Sequence, residues 1–244
     1  MIKTFEVKDK LVLDLKESSV LTLILKGGDI TIDYHLSDGD YNIIVFNDND
    51  GNVSLQENGY IKNGNVKITY LELNNYSFKQ ENKLEVYKDS SLIVDSIYLG
   101  INHKDIVFDI YNTQSFSEVN ISNNVVCLND CDFSLSVIGN IKKGSKNCKC
   151  HQKSRCLTFE NPKKAKILPI LNIDECDVEA SHSLSSGTID EDVLFYMNSR
   201  GLSFSQALLL LIHSYLMPDE AFYAQFENGD MIKQKAKMKV ETLC

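Results

Sequence analysis

Apolar and polar residues alternate with a period of two along most of the chain up to about Ile170. Ile30-Thr31-Ile32-Asp33-Tyr34 is the plainest instance. Such a pattern turns one face of a strand to a core and the other to water. The clearest strands are predicted at Leu11–Leu15, Val20–Leu25, Ile30–Leu36, Tyr41–Phe46, Val66–Leu73, Ile106–Tyr111 and Phe133–Ile138. Turn chemistry separates them, at Gly27-Gly28-Asp29, Asp38-Gly39-Asp40, Asp50-Gly51, Asn58-Gly59 and Asn63-Gly64. Strand starts recur roughly every ten residues with no helical period between them, which leaves a barrel, a sandwich or a solenoid. Only 3 prolines interrupt 244 residues, and asparagine is frequent at corners. Both features tilt toward a solenoid, although no strict repeat can be read.

The pattern changes after Ser181. Thr188 and Glu191 are predicted to form a capping box, followed by the apolar stripe Val193, Leu194, Phe195, Tyr196 and Met197. Gly201 stands where a helix end needs positive φ. Ser203 and Gln206 repeat the box for a second helix, Phe204–Met217. That helix carries Ala207, Leu208, Leu211, Ile212, Tyr215 and Leu216 on one face. Leu209 and Leu210 make it apolar nearly all round, more than one packing face needs, and so predict an interaction surface. Beyond Pro218, a short helix over 219–226 is expected to end near Gly229, and Lys233–Lys239 reads as a frayed basic tail. The division expected is a β domain over 1–187 and a helical segment over 188–244.

Charge and composition narrow the function. A net charge of −9 with 43% hydrophobic residues suits a globular chain and argues against a nucleic-acid binder. The first residues meet charge at once and no apolar run approaches the ~20 residues of a membrane span, so a cytoplasmic protein is expected. Seven cysteines with no framework spacing are expected to be reduced thiols. Cys148-Lys149-Cys150-His151, with Cys156 and Cys176 nearby, fits no common zinc spacing, and on a strand Cys148 and Cys150 share one face while His151 takes the other. Cys127, Cys131 and Cys244 read as core or incidental thiols. Neither a phosphate-binding Gly-x₄-Gly-Lys loop nor a Gly-x-Ser-x-Gly elbow occurs. Lys142, Lys143, Lys146, Lys149, Lys153, Arg155, Lys163, Lys164 and Lys166 face one acid, Glu160. This run reads either as a docking patch, for an acidic partner, a phosphate-bearing ligand or a flavin, or as the solvated outer face of a solenoid.

His182 followed by Glu191-x-x-Leu194-Phe195-Tyr196-x-x-Ser199-Arg200-Gly201-Leu202-Ser203 resembles the C-terminal signature of the SufB/SufD family of iron–sulfur cluster assembly proteins. Lys143-Gly144 and the run from Pro169 to Asp177-Val178 fit the approach to it, so the resemblance spans roughly 140–216. It implies a mainly β fold, a right-handed parallel β-helix with a C-terminal α-helical segment. Family members usually carry a helical N-terminal region, whereas this chain enters strands almost immediately.

The resemblance also implies roles. His182, with Cys156 and Cys176 as further candidates, would serve nascent-cluster assembly, since neutral imidazole is a competent iron ligand. Leu194, Tyr196, Arg200, Gly201, Leu202, Leu209 and Leu210 would dock the SufC ATPase. Counting back from His182, the position of the essential SufB-type cysteine is Ser154, unless a β-bulge brings Cys156 into register. Ser183 stands where SufB tends to place an acid. Both departures favour a SufD-like scaffold, itself not an enzyme, that pairs with a SufB-like subunit and leaves ATP hydrolysis to a SufC-like partner. No intrinsic cofactor is implied beyond a transient cluster at the SufB interface, with flavin open. Two rivals stand: a polysaccharide-active β-helix enzyme using Asp105 with Asp109 or Asp130 with Asp132, and a homodimeric interaction module without cluster chemistry.

Overall fold

The computed structural model describes residues 1–128, 131–158 and 164–241. The chain shuttles between two sheets. Strands β1 (Ile2–Val7), β3 (Ser19–Leu25), β5 (Asp40–Asn47), β7 (Asn65–Glu72), β9 (Ser91–Gly100), β11 (Glu118–Cys127), β13 (Cys148–Thr158) and β15 (Val178–Thr188) lie side by side in that order. The second sheet runs β2 (Lys10–Leu15), β4 (Asp29–Ser37), β6 (Val53–Lys62), β8 (Phe78–Val86), β10 (His103–Asn112), β12 (Asp132–Ile141) and β14 (Lys164–Ile173). Each strand pairs in parallel with the strand two places on. The fold is therefore a parallel β-solenoid with two strands to a coil; the period-two pattern anticipated its strands, and the resemblance its solenoid form.

The coils are registered at one corner. Asp38, Asn63, Asp89, Phe116 and Asn147 all have φ between 49° and 61°, at intervals of 25, 26, 27 and 31 residues. Each sits between an even-numbered strand and the next odd one, in the left-handed conformation that Asp and Asn tolerate. Their side chains and those after them join neighbouring coils: Asn63 Nδ2 donates to Asp38 Oδ1 at 3.2 Å, and Asn65 Nδ2 to Asp40 Oδ1 at 2.8 Å. Asn58-Gly59, expected as a turn, lies inside β6 instead. There Gly59 is required by contact, because a Cβ would stand 2.1 Å from the Tyr34 carbonyl oxygen of the neighbouring strand.

The lumen is apolar for most of its length, filled by residues such as Leu21, Ile32, Ile43, Phe108 and Phe133. It also encloses polar groups that are well partnered. Glu57, fully buried, accepts from Tyr34 Oη at 2.7 Å and from the amides of Asn82 and Gln80 at 2.5 and 3.3 Å. Burial pushes its carboxyl up to about 7 although these bonds pull the other way. Near one corner the buried Lys104 ammonium donates to Glu72 Oε1 at 2.6 Å and to the carbonyls of Asn74 and Tyr76, both at 2.8 Å. All three of its donors are thereby used.

Helices α1 (Glu191–Ser199), α2 (Phe204–Leu216), α3 (Glu220–Tyr223) and α4 (Gly229–Glu241) follow the last strand. A second apolar cluster joins the outer face of the eight-stranded sheet to them. Ile24, Phe46, Leu71, Ile97, Leu99 and Val126 meet Ile212, Leu216, Phe226, Ile232, Ala236 and Val240. Two expectations fail here. The run Lys233–Lys239 is no frayed tail but the middle of α4, which begins at Gly229. Ile232, Ala236 and Val240 repeat at four-residue intervals and give α4 one wholly buried edge, with lysines on the rest. The first helix is capped by Asp190, whose carboxylate accepts from the Asp192 amide, while Thr188 still belongs to β15. Gly201 (φ +95°) and the Ser203–Gln206 capping box are as expected.

Candidate functional site

The C-terminal end of the solenoid and the helical hairpin beside it gather most of the chemistry singled out from the sequence. β14 and β15 are each last in their sheet, so each presents an unpaired edge. No further coil covers the inward-facing side of these strands. Ile173 and Leu184 are consequently 42% and 46% exposed, while their counterparts one coil back, Ile141 and Ser154, are buried.

His182 lies on β15 opposite the buried Gln152 of β13. It therefore takes an inward position of the solenoid, yet it is exposed because that position is at the open end. Pairing of β13 with β15 is unbroken from Cys148↔Val178 to Thr158↔Thr188. No bulge shifts the register, so Ser154 keeps its place, buried against Asn123, whose Nδ2 donates to its Oγ at 3.1 Å. Cys156 sits opposite Ser186, four positions along the strand from His182, or about 13 Å. Cys176 is exposed in the corner before β15. The three cluster-assembly candidates are thus not brought together. Among the described residues no group of three or more His, Cys, Asp or Glu side chains has the geometry of a metal site.

The cysteines instead fill the lumen near that end. Cys148 and Cys150 point inward and His151 outward, as alternation required. Burial pushes the Cys150 thiol up to about 12. Cys127 lies 4.0 Å from Cys156, sulfur to sulfur, and also hydrogen-bonds Cys131. Shared between two neighbours, the Cys127 thiol stays protonated, and its hydrogen bonds lower the thiols of Cys131 and Cys156. Cys127 and Cys131 are core thiols, within the core-or-incidental expectation, whereas the stacking of the cluster-assembly candidate Cys156 on Cys127 depends on a coil length that the sequence does not display. Cys244, Glu160 and Lys163 lie outside the described residues.

The basic run divides in two. Lys142, Lys143 and Lys146 occupy the corner between β12 and β13, whereas Lys149, Lys153 and Arg155 line the outer face of β13. Lys142 stands 5.0 Å from the Tyr111 ring, and Arg155 stacks at 4.9 Å on Tyr215 of α2. Asp105 and Asp109 share the outer face of β10, but Asp109 accepts from Tyr111 Oη and Asn140 Nδ2, both at 2.8 Å. Asp130 is outside the described residues.

On the hairpin, α1 contains no buried residue. Phe195 is 74% exposed, and Tyr196, Phe204 and Leu210 are more than half exposed. Leu194 and Leu202 are half-buried, and the Arg200 guanidinium stands 5.2 Å from the Tyr196 ring. Leu209 differs from Leu210: it packs against the second apolar cluster and so faces the sheet, contrary to its grouping with Leu210 as outward surface. Phe195 and Phe204, absent from the expected docking residues, are exposed at least as much as Tyr196. For Phe195 the available signal was its place beside Tyr196 in the apolar stripe.

Two comparisons with known proteins bear on this arrangement. Residues 40–215 match the family model described as "SUF system FeS cluster assembly, SufBD core domain". A segment of 81 residues is 38% identical to the iron–sulfur cluster assembly protein SufD of Bacillus subtilis (strain 168), covering 33% of this chain and 18% of that protein's length. The family match takes in strands from β5 onward together with α1 and nearly all of α2, and so includes His182, the open end and the hairpin. A parallel solenoid followed by this hairpin, with the family model matched over most of the chain, places the chain in the SufB/SufD family of the SUF iron–sulfur cluster assembly system.

Proposed function

We propose that the chain is a SufD-like scaffold subunit that docks a SufC-like ATPase on its α1–α2 hairpin and pairs with a SufB-like subunit through the open end of its solenoid. The observation that carries this reading is the hairpin surface. Phe195, Tyr196, Phe204 and Leu210 leave their apolar area in water on a helix pair that is otherwise well capped. A cluster of this kind suits a protein contact. The unpaired edges of β14 and β15 offer backbone groups to a second sheet, and Leu184 and Ile173 offer it apolar side chains. The SufD branch is supported by Ser154 and Ser183 at positions where SufB-type members differ, and by the similarity to a SufD protein.

In this reading ATP hydrolysis belongs to the partner, and the iron–sulfur cluster is cargo built at the shared end, where His182 is presented. Co-purification with the SufC-like ATPase of the same system tests it. Leu210→Glu is expected to abolish capture, since a lone carboxylate cannot be buried in an apolar contact without a paired cation. Undiminished capture by Leu210→Glu and by Phe195→Ser would move the ATPase site off the hairpin. The open end has a second possible occupant, another copy of the chain. Sedimentation of the isolated protein as a dimer that dissociates when the SufB-like subunit is added would show that the two compete.

A further inference from the structure

The outer face of β13 carries cations that the scaffold reading does not use. His151, Lys153 and Arg155 occupy alternate positions and so project from one side of the strand, about 6.7 Å apart. The register places Asn120, Ser122 and Asn124 of β11 beside them on one flank, and Ser181, Ser183 and Ser185 of β15 on the other. The Lys153 and Arg155 cations, with the His151 imidazole before them, thus stand in a row between two rows of hydroxyls and amides.

Carboxylates nearby are already matched. Asp95 pairs with Lys67 at 2.9 Å, and Glu179 lies 3.5 Å from both Lys149 Nζ and His151 Nε2. Among the described residues no carboxylate lies within 4.0 Å of Lys153 or Arg155. Between these rows is a hollow of about 350 Å³, lined by Asn120, Ser122, His151, Lys153 and Ser183, and on its far side by Ile93 and by Asp95, whose charge Lys67 offsets. Tyr215 of α2 stacks on Arg155 and marks its limit along the strand. At the opposite limit Glu118 and Glu179 flank Lys149.

We propose that this hollow binds the phosphoryl group of a small phosphate ester. A phosphoryl group offers several strong acceptor oxygens and up to two negative charges, which a lysine point charge and a row of hydroxyl donors complement. Ile93, 39% exposed at the rim, supplies an apolar contact for the organic part of the ester. The volume falls at the small end of the range for ligand sites. An extended polyanion is disfavoured, because its path along the strands would meet Glu118 and Glu179 at one end and α2 at the other. The hollow shares β15 and Tyr215 with elements of the scaffold reading, but it lies on the outer face of the sheet, which that reading leaves unassigned.

Titration of the full chain with phenyl phosphate and with inorganic phosphate, followed by ³¹P line width at constant ionic strength, tests the proposal. Both probes are expected to bind, the ester more tightly. Lys153→Met should weaken them about tenfold, the loss of one charge-assisted contact, and Ser183→Ala about threefold. Lys237→Met, at an exposed lysine of α4, should change neither. All these side chains are on the surface, so unchanged melting curves will show that the variants fold. No binding by the unaltered protein, or equal losses for Lys153→Met and Lys237→Met, overturns the proposal. Tighter binding of an eight-residue oligothymidylate than of phenyl phosphate also overturns it, in favour of a polyanion face.

Discussion

Helices α4 and α1 invert what their compositions suggest. α4 carries four lysines in GDMIKQKAKMKVE, yet Gly229, Ile232, Ala236 and Val240 are buried along one edge. α1 carries Val193, Leu194, Phe195, Tyr196 and Met197 in nine residues, yet buries none of them. The difference lies in spacing and in what lies beneath. Four-residue intervals put the small apolar set of α4 in one line over Phe46 and Leu71, and the lysine stems lie along its flanks. Lys235 shows this: its ammonium pairs with Asp48, just past the end of β5. α1 has five apolar residues in sequence, which wrap around the helix, and it packs mainly on α2. An apolar helix left in water within a protein that buries a lysine-rich one is the physical argument for a partner at the hairpin.

The largest test of that contrast removes the buried line. Ile232→Asp places a carboxylate where the residue is 0% exposed, and the cost of stranding a charge against Phe46 and Leu71 is expected to reach about 4 kcal/mol or more. Denaturant unfolding measures it. A change below about 1 kcal/mol would mean that α4 is only loosely laid on the sheet.

Next comes the same inversion inside the solenoid, where β6 buries Glu57. Its ordinary value is 4.5 and burial raises it to about 7. The folded state therefore holds the proton more tightly than the unfolded chain. Stability from this group is complete below about pH 4.5 and is lost as pH rises through about 7. At 1.36 kcal/mol per pH unit the loss comes to roughly 3 kcal/mol. Glu57→Gln is expected to remove that slope and to be the more stable protein at pH 8, with the Asn82 amide turned over to accept from the new NH₂ group. Parallel unfolding curves for the two proteins between pH 5 and 8.5 would contradict the buried, proton-holding role.

These two regions also show what could be read from the chain. The strands recognised most clearly have apolar residues at their inward positions. Those passed over include β6 with Glu57, β8 with Gln80 and Asn82, β9 with Ser96, β11 with Asn123 and β13 with Gln152 and Ser154, all buried. Polar groups facing a lumen break the alternation that announces a strand, and their partners come from other coils. The Gln80–Tyr98 bond spans 18 residues and the Ser96–Asn123 bond 27. Corner residues repeat at unequal intervals and vary from Asp to Phe116, so no repeat was visible. α4 was missed because lysines mask its four-residue period. Of the site, His182 and the hairpin were legible because they carry a family pattern; the thiol stack of Cys127, Cys131 and Cys156 needed the coil register.

Leu209 and Leu210 sharpen the contrast within one helix turn. Leu209 packs toward the sheet and Leu210 is 52% exposed. Leu209→Glu is expected to cost about 2 kcal/mol of stability, and Leu210→Glu less than about 0.5. Equal losses would show that α2 is buried on both sides, and the surplus surface would then belong to α1 alone.

The smallest effect on stability is expected at His182. It occupies an inward position, but the coil that would cover it does not follow, so it makes no buried contact whose loss could destabilise the fold. His182→Ala should unfold within about 0.5 kcal/mol of the unaltered protein. Capture of the ATPase should be unchanged, because the hairpin is untouched. What should fall, on the proposed scaffold role, is iron and sulfide recovered with the complex after assembly with the SufB-like subunit, since a neutral imidazole is a competent iron ligand. His182→Gln, which keeps a polar side chain of similar reach with far weaker ligand character, should fall equally. If Gln restores cluster accumulation, the residue supports the subunit contact through hydrogen bonding, and the cargo is held by other groups.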